Sequence, residues 1–184
     1  MRTQTICSAG IAFLLAACAT TTAPAEDDLT RSIVLHWGAR DASSAGSSGA
    51  DDAGVVIGLD YNSRSWDWLG WEAGISYSEH EDFLLFGVEE SLDVVEVDLG
   101  GRATYCGWAD AGAGLLPYGS VGVAALAMEG RDADSGAVGA YVRGGLCYVF
   151  RAGFTLGFDL KFLASSSDDV ETYGQFTLQF GWSF

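Results

Sequence analysis

The sequence lacks a long hydrophobic run beyond its N-terminal segment, and this lack excludes a membrane-spanning helix. Such a helix needs about 20 consecutive apolar residues, whereas the apolar stretches after residue 25 are shorter and interrupted. Proline is scarce, with 2 in 184 residues, while glycine reaches 25 and aromatic residues 12%. Short apolar runs in a glycine- and aromatic-rich chain indicate β-structure. The length allows one domain.

Basic residues are also scarce, with 9 Lys and Arg against 25 Asp and Glu and a net charge of −16. Affinity for nucleic acid comes from basic side chains that neutralise phosphates, so this balance excludes a nucleic-acid partner. Over half of the acids fall in segments between the predicted strands. They are Asp41, Asp51, Asp52, Glu79, Glu81, Asp82, Glu89, Glu90, Glu129, Asp132, Asp134, Asp168, Asp169 and Glu171. Such oxygen-rich segments suit Ca²⁺ or Mg²⁺ or simply form a solvated acidic surface. No cofactor is predicted.

The first 25 residues have the features of an export signal, with Arg2 followed by a short apolar stretch. Two cleavage positions fit. Residues 15–18 resemble a bacterial lipobox, which would remove residues 1–17 and leave a lipidated Cys18. Residues 23–25 fit the small-x-small pattern of ordinary signal peptidase and would remove residues 1–25. Either alternative predicts export.

Export places the remaining cysteines in an oxidising compartment, where disulfides persist. Cys106 and Cys147 form the one plausible pair once Cys7 is removed with the signal and Cys18 is lipidated or free. One strand separates the pair in the predicted sheet, which puts them about 10 Å apart and beyond the usual limit for a bridge. A turn that curls inward at Gly107 would close that gap, so both outcomes stay open.

Period-two alternation predicts eight strands. The clearest is residues 172–184, in which one face is entirely apolar, with Phe176, Leu178, Phe180, Trp182 and Phe184. The segment Leu116–Met128 is apolar on both faces and its phase is not assigned. The connections alternate in length. The long ones are about 40–53, 80–92, 130–136 and 164–171, the short ones are about 62–66 and 149–151, and a glycine-rich one of intermediate length is about 106–115. This alternation is typical of membrane barrels with long outer loops and short inner turns.

Ionisable residues fall on the opposite face of most predicted strands. They are His36, Arg40, Asp60, Glu72, Glu96, Asp98, Arg102, Arg143, Arg151, Asp159 and Lys161. The other face is apolar over strands long enough to cross a bilayer when tilted. The pattern therefore predicts an all-β fold, an eight-stranded antiparallel up-and-down transmembrane β-barrel over residues 31–184. Buried charges must pair, which favours an internal salt-bridge plug over a narrow gated pore.

Two motifs support a family resemblance. The ending Phe176-x-Leu178-x-Phe180-x-Trp182-x-Phe184 resembles the C-terminal insertion signal of bacterial outer-membrane proteins. Residues 116–122 resemble a Pro-Tyr-x-Gly-x-Gly run in a strand of small outer-membrane barrels. The resemblance to OmpA/OmpX-like barrels covers residues 31–184. It implies the outer membrane of a Gram-negative-type bacterium, with membrane lipid and the barrel-assembly machinery as partners. It implies no single activity, because this fold hosts anchors, adhesins and lipid-modifying enzymes.

The sequence offers little for catalysis. A hydrolase needs a nucleophile, a base and an orienting group within reach of one another, and the chain has only two histidines. Neither lies near the C-terminal strands, where outer-membrane lipid A deacylases carry a His-x-Ser pair. His80 has Ser78 and Asp82 close in sequence, the residue types of palmitoyl-transferring barrels, but is interpreted as a solvated loop histidine. We therefore expect a non-enzymatic structural or surface-interaction role, with a narrow channel and a lipid-modifying enzyme as alternatives.

Overall fold

The computed structural model describes residues 30–43, 52–65, 68–82, 90–110, 113–129, 135–166 and 172–184, which form β-strands and turns. None of the described residues belongs to a helix capable of spanning a membrane. The segments expected as export signals, residues 1–17 or 1–25, lie outside the described residues, as does Cys18.

Eight long antiparallel strands form one closed barrel. They are β1 (Arg31–Ser43), β2 (Asp52–Arg64), β3 (Leu69–Asp82), β4 (Glu90–Thr104), β5 (Ala113–Glu129), β6 (Ser135–Val149), β7 (Phe154–Ser165) and β8 (Thr172–Ser183). Each strand pairs with its neighbours along the chain, and β8 pairs with β1. A two-residue strand, Ala109–Asp110, pairs with the start of β5. The predicted fold class is confirmed.

Closure is continuous along β1, where Leu35 pairs with Leu59 of β2 on one side and with Phe180 of β8 on the other. Hydrocarbon cannot hydrogen-bond to an open sheet edge, so closure is what allows such a sheet to sit in lipid. We call the end that holds Thr30, Phe184 and the three shorter connections the inner end, and the opposite end the outer end.

A tight turn at Arg151–Gly153 joins β6 to β7 at the inner end. Gly153 has a φ of 88°, a conformation that glycine adopts without steric cost. Arg151 is exposed on this turn. Its predicted position inside the barrel is therefore wrong, because the turn interrupts the alternation that was extended through it from β7.

The two faces of the strands are inverted relative to a soluble protein. Phe176, Leu178 and Phe180 on the outward face of β8 are 46%, 40% and 44% exposed. Trp182 and Phe184, at the inner end, are half-buried. The largest fully buried side chains include Arg40 and Lys161. An apolar exterior around ionised residues is the arrangement that a lipid environment favours.

The phase of β5, which the sequence left unassigned, follows from the structure. Tyr118, Ser120, Leu126 and Met128 are buried in the interior, whereas alternate residues such as Val121 face outward. Both faces are apolar at the outer end of this strand because its inward residues there belong to an apolar layer of the interior.

Candidate functional site: the lumen of the barrel

The lumen has three layers from the outer end to the inner end. The first is an apolar cap of buried residues in mutual contact: Val94, Ala124, Leu126, Met128, Ala137, Tyr141, Leu163 and Tyr173. Most of these residues lie where β4, β6 and β8 begin and where β5 and β7 end. The cap thus forms the apolar side of the lumen along β4–β8, towards its outer end.

The second layer contains ionised side chains and has two centres, of which Glu96 is the first. Its carboxylate accepts a hydrogen bond from Arg40 Nη2 at 2.7 Å and further hydrogen bonds from Lys161 Nζ and Tyr173 Oη. Arg40 also donates from Nε to Gln175 Oε1 at 3.0 Å, and its guanidinium lies 4.3 Å from the centre of the Tyr173 ring. Both cations at this centre are therefore held against one carboxylate.

Arg143 is the second centre, because its guanidinium lies among four carboxylates. They are Asp60 at 3.0 Å, Asp98 at 3.4 Å, Glu72 at 3.7 Å and Asp159 at 3.9 Å. Lys161 joins the two centres, since its Nζ contacts Asp98 as well as Glu96. His36 extends the network from Nδ1 to Asp60 Oδ2 at 3.0 Å. The layer is thus one connected set of charges.

Neutral donors satisfy the carboxylates further. Glu72 Oε1 accepts hydrogen bonds from Ser120 Oγ at 2.7 Å and from Tyr141 Oη at 2.8 Å. Asp159 accepts from Thr177 Oγ1 at 2.6 Å and from Tyr118 Oη at 3.0 Å. Burial of an ion is costly unless hydrogen bonds complete its pairing, and these donors supply part of them, since Glu72 Oε2 and Asp60 Oδ1 are buried without a hydrogen-bond partner.

The structure places ten of the eleven sequence-predicted ionisable residues in the lumen, all except Arg151. Five are the acids of this layer and five are Arg40, Arg102, Arg143, Lys161 and His36. The sequence could assign each to a face, but it could not pair them.

The third layer is a cavity of about 280 Å³ at the inner end. Arg31, Arg64 and Arg102 line it together with both cysteines. The Arg102 side chain is 12% exposed, against 1% for Arg143. We call this space the inner cavity.

Cys106 and Cys147 both line the inner cavity but are not joined by a disulfide. Cys147 Sγ donates to the Leu116 carbonyl at 3.6 Å, whereas Cys106 Sγ accepts from Arg64 Nη1 at 3.0 Å. Strand β5 lies between the two cysteines, because Leu116 pairs directly with Cys147 and Tyr105 N bonds to Pro117 O. The turn at Gly107 does not bring the two sulfurs into a bond.

A serine–histidine contact forms near the cap. His80 is buried on the inward face of β3, and its Nε2 lies 3.1 Å from Ser78 Oγ, which also accepts from Arg40 Nη1 at 3.1 Å. The interpretation of His80 as a solvated loop residue is therefore wrong. The alternation of Glu72, Ser76, Ser78 and His80 along one face of β3 was the signal that could have placed it inside. Ser78 is fully buried, so no substrate reaches its hydroxyl in this conformation.

No group of three His, Cys, Asp or Glu side chains that could hold a metal ion occurs among the residues that the structure describes. Several of the loop acids named as candidate cation ligands, including Asp51, Glu89, Asp132, Asp134 and Asp168, lie outside those residues.

Comparisons with known proteins agree with this architecture. A family model described as the outer membrane protein beta-barrel domain matches residues 9–184. No curated protein sequence is significantly similar to the chain.

Three solved structures share the fold at low sequence identity. OprG, an outer membrane protein of Pseudomonas aeruginosa, is 14% identical, with a TM-score of 0.59 over 88% of this chain and 99% of its own. Ail, the attachment invasion locus protein of Yersinia pestis, is 15% identical, with a TM-score of 0.58 over 84% and 97%. The outer membrane enzyme PagL is 15% identical, with a TM-score of 0.50 over 83% and 99%.

Proposed function

Because the chain belongs to the outer membrane protein beta-barrel domain family, we propose that it is an integral outer-membrane barrel with a sealed lumen and a structural or surface-interaction role. Its location is the cell outer membrane. The barrel holds the loops of the outer end at the cell surface, and catalysis is not part of this role.

The main support for this proposal is the filled lumen of the barrel. The interior of an eight-stranded barrel is just wide enough for side chains to fill, and here it is filled by paired ions beneath an apolar cap. An ion that crossed this layer would have to break several buried contacts of Arg143 and Lys161. Breaking such pairs is strongly unfavourable, so the filled lumen favours an anchor over a channel.

Conductance across a planar lipid bilayer tests the seal. The protein is refolded in detergent, shown to be folded by faster migration of the unboiled sample on a gel, and added to the bilayer beside a porin as positive control. We expect no discrete conductance steps from this protein. Reproducible steps from the folded fraction that are lost when the sample is boiled would refute the seal and favour the narrow-pore alternative.

Lipid modification is the second candidate, favoured by the contact between Ser78 and His80. A nucleophile and a base in contact are the first requirement of acyl transfer, and PagL shows that an enzyme can have this fold. Burial of Ser78 argues against it here. We expect cells that express the protein and cells that express Ser78→Ala to have identical lipid A by mass spectrometry. A lipid A species that only the unaltered protein produces would establish an enzyme instead.

The proposed partners follow from the same architecture. Membrane lipid contacts the outward face, and the assembly machinery reads β8, whose outward Phe176, Leu178 and Phe180 begin the expected insertion signal. Divalent cations at the acidic loops remain a proposal. Replacing Phe180 by Ser should slow assembly into the membrane, whereas the same replacement of the outward-facing Phe162 on β7 should not, as measured by the heat-modifiable fraction over time.

A further inference from the structure

Two aspartates in the second layer of the lumen face each other across a glycine. Asp60 of β2 and Asp98 of β4 both pair in register with Gly74 of β3, the strand that lies between them. A Cβ at Gly74 would lie 2.4 Å from Asp60 Oδ1 and 2.8 Å from Asp98 Oδ1. Because Gly74 has no side chain to keep them apart, the two carboxyl groups converge over one point of β3. Both aspartates are buried, at 1% and 4% exposure.

The other oxygen of each aspartate is already paired. Arg143 contacts both groups, with Nη1 3.0 Å from Asp60 Oδ2 and Nη2 3.4 Å from Asp98 Oδ2. Lys161 Nζ also contacts Asp98 Oδ2, and His36 Nδ1 lies 3.0 Å from Asp60 Oδ2. By contrast, Oδ1 of each aspartate is buried without a hydrogen-bond partner. The two unpartnered atoms are therefore the same two that converge on Gly74.

One proton would satisfy both of these oxygens. An ionised carboxylate only accepts hydrogen bonds, whereas a protonated one also has an O–H donor. A proton on Oδ1 of either aspartate would donate to Oδ1 of the other, while both Oδ2 atoms still accept from Arg143. Two neighbouring carboxylates also resist being ionised together, and burial adds to that resistance. The geometry therefore favours a carboxylic acid paired with a carboxylate over two carboxylates.

The charge of the layer leads to the same conclusion. Among the residues that the structure describes, its acids outnumber its lysine and arginine side chains by one. The acids are Asp60, Glu72, Glu96, Asp98 and Asp159, and the cations are Arg40, Arg102, Arg143 and Lys161. His36 does not offset this difference at low cost, because its Nε2 is buried without a partner and an added proton there would be an unsatisfied charged donor. A proton on the aspartate pair makes the layer neutral.

We propose that Asp60 and Asp98 share one proton in the folded barrel at neutral pH. A metal ion is a poorer occupant, because the positive charges of Arg143 and Lys161 flank the pair, whereas a proton needs no further ligands. The other charged and titratable groups that face this part of the lumen are His36 and Arg40 of β1, Glu72 of β3, Glu96 and Arg102 of β4, Tyr118 of β5, Tyr141 of β6, Asp159 of β7 and Tyr173 of β8.

Infrared spectroscopy tests the proposal on the folded full-length barrel at neutral pH. The detergent is an alkyl glycoside, because it has no ester carbonyl to overlap with the C=O band of a carboxylic acid. We expect one such band, which shifts in deuterium oxide and which ionised carboxylates do not give. Asp98→Asn should abolish the band, since the amide N–H then donates to Asp60 in place of the shared proton.

Asp159→Asn is the matched control. Asp159 is equally buried, but its two oxygens accept from Thr177 Oγ1 and Tyr118 Oη, so we expect it to be ionised and its replacement to leave the band in place. Urea unfolding in lipid vesicles gives a second measurement. Asp98→Asn has the shape and charge of a protonated aspartate and should barely shift the urea midpoint, whereas Asp159→Asn should lower it clearly.

Three results would overturn the proposal. The first is a folded barrel with no carboxylic acid band at neutral pH, and the second is a band that survives Asp98→Asn. The third is an Asp98→Asn variant that is destabilised as much as Asp159→Asn, which would mean that Asp98 is an ionised partner of Lys161 and Arg143. If Asp159→Asn does not fold, the infrared spectra of the unaltered protein and of Asp98→Asn decide the question.

Discussion

The outer half and the inner end of the lumen are enclosed by the same eight strands but are filled differently. In the outer half, Arg143 and Lys161 are 1% exposed and lie among carboxylates beneath the apolar cap. At the inner end, Arg102 borders a cavity of about 280 Å³ with two cysteines on its wall. One barrel thus contains a packed, ion-paired core and an open polar recess.

Side-chain size along the inward faces explains the difference. The inward positions of the outer half include Tyr141, Tyr173 and Lys161, which reach across the barrel axis. The inward positions of the inner end are mostly small, including Ser32, Thr104, Cys147, Thr155 and Ser183. Barrel diameter is set by strand number and tilt, so the residues that fill it decide which part is sealed and which is open.

The same substitution at two arginines provides the strongest test of this contrast. Arg143→Gln leaves four buried carboxylates short of their shared cation, and should lower the free energy of unfolding by about 3–5 kcal/mol. Arg102→Gln should lower it by only about 1–2 kcal/mol, because Arg102 is partly exposed and has one carboxylate near it. Urea unfolding of the barrel in lipid vesicles, followed by tryptophan fluorescence, measures both.

If both variants lowered the free energy of unfolding by the same amount, the inner end would be as tightly packed as the outer half. If Arg143→Gln fails to fold at all, the comparison still holds when Arg102→Gln yields a barrel with heat-modifiable migration.

The sequence was sufficient to predict the strands because most of them alternate between apolar and polar residues with a period of two. The faces of β7 and β8 were assigned correctly from the alternating apolar runs that include Phe158 and Phe176, since a lipid-facing strand leaves no ambiguity about its apolar side. The assignment by alternation failed at the ends of the strands. Arg151 follows the end of a strand, and His80 lies in a part of β3 that the sequence assigned to a loop.

The pairing of the ions could not be predicted for a different reason. Alternation assigns a residue to a face but not to a height along the barrel axis, which depends on the register of every strand pair. Lys161 meets Glu96 across 65 residues of sequence, and Arg40 meets Gln175 across 135. Those contacts exist only after closure of β8 on β1, and no local pattern encodes them.

The apolar cap provides a second test, with a matched pair of leucines on β7. Leu163 is 2% exposed in the cap, and Leu160 is 47% exposed on the lipid-facing side. Leu163→Ala should lower the free energy of unfolding by about 2–5 kcal/mol, because it loses apolar contact and leaves a cavity. Leu160→Ala should cost less than half as much, since lipid chains fill the space that it vacates.

Urea unfolding of the barrel in lipid vesicles also measures the free energy of unfolding of these two leucine variants. Similar costs for the two leucines would mean that the outer half is loosely packed, which would weaken the case for a sealed lumen.

Two adjacent glycines on β6 give the smallest and most local test. A Cβ at Gly145 would lie 2.6 Å from Cζ and Oη of Tyr118, whereas the nearest atom to a Cβ at Gly144 is the Tyr118 carbonyl oxygen at 3.9 Å. Gly145→Ala must therefore displace the side chain of Tyr118. Arg102 stacks on the ring of this tyrosine, and its hydroxyl donates a hydrogen bond to Asp159.

We expect Gly145→Ala to lower the free energy of unfolding by about 1–3 kcal/mol, the usual cost of overpacking. Gly144→Ala should be neutral or raise it slightly, because alanine reduces the freedom of the unfolded chain. Tyr118 lies at the boundary between the ion-paired layer and the inner cavity, so its displacement should also quicken the reaction of Cys147 with a maleimide. A destabilised Gly145→Ala barrel with unchanged thiol reactivity would show that the Tyr118 ring does not shield Cys147 from the reagent.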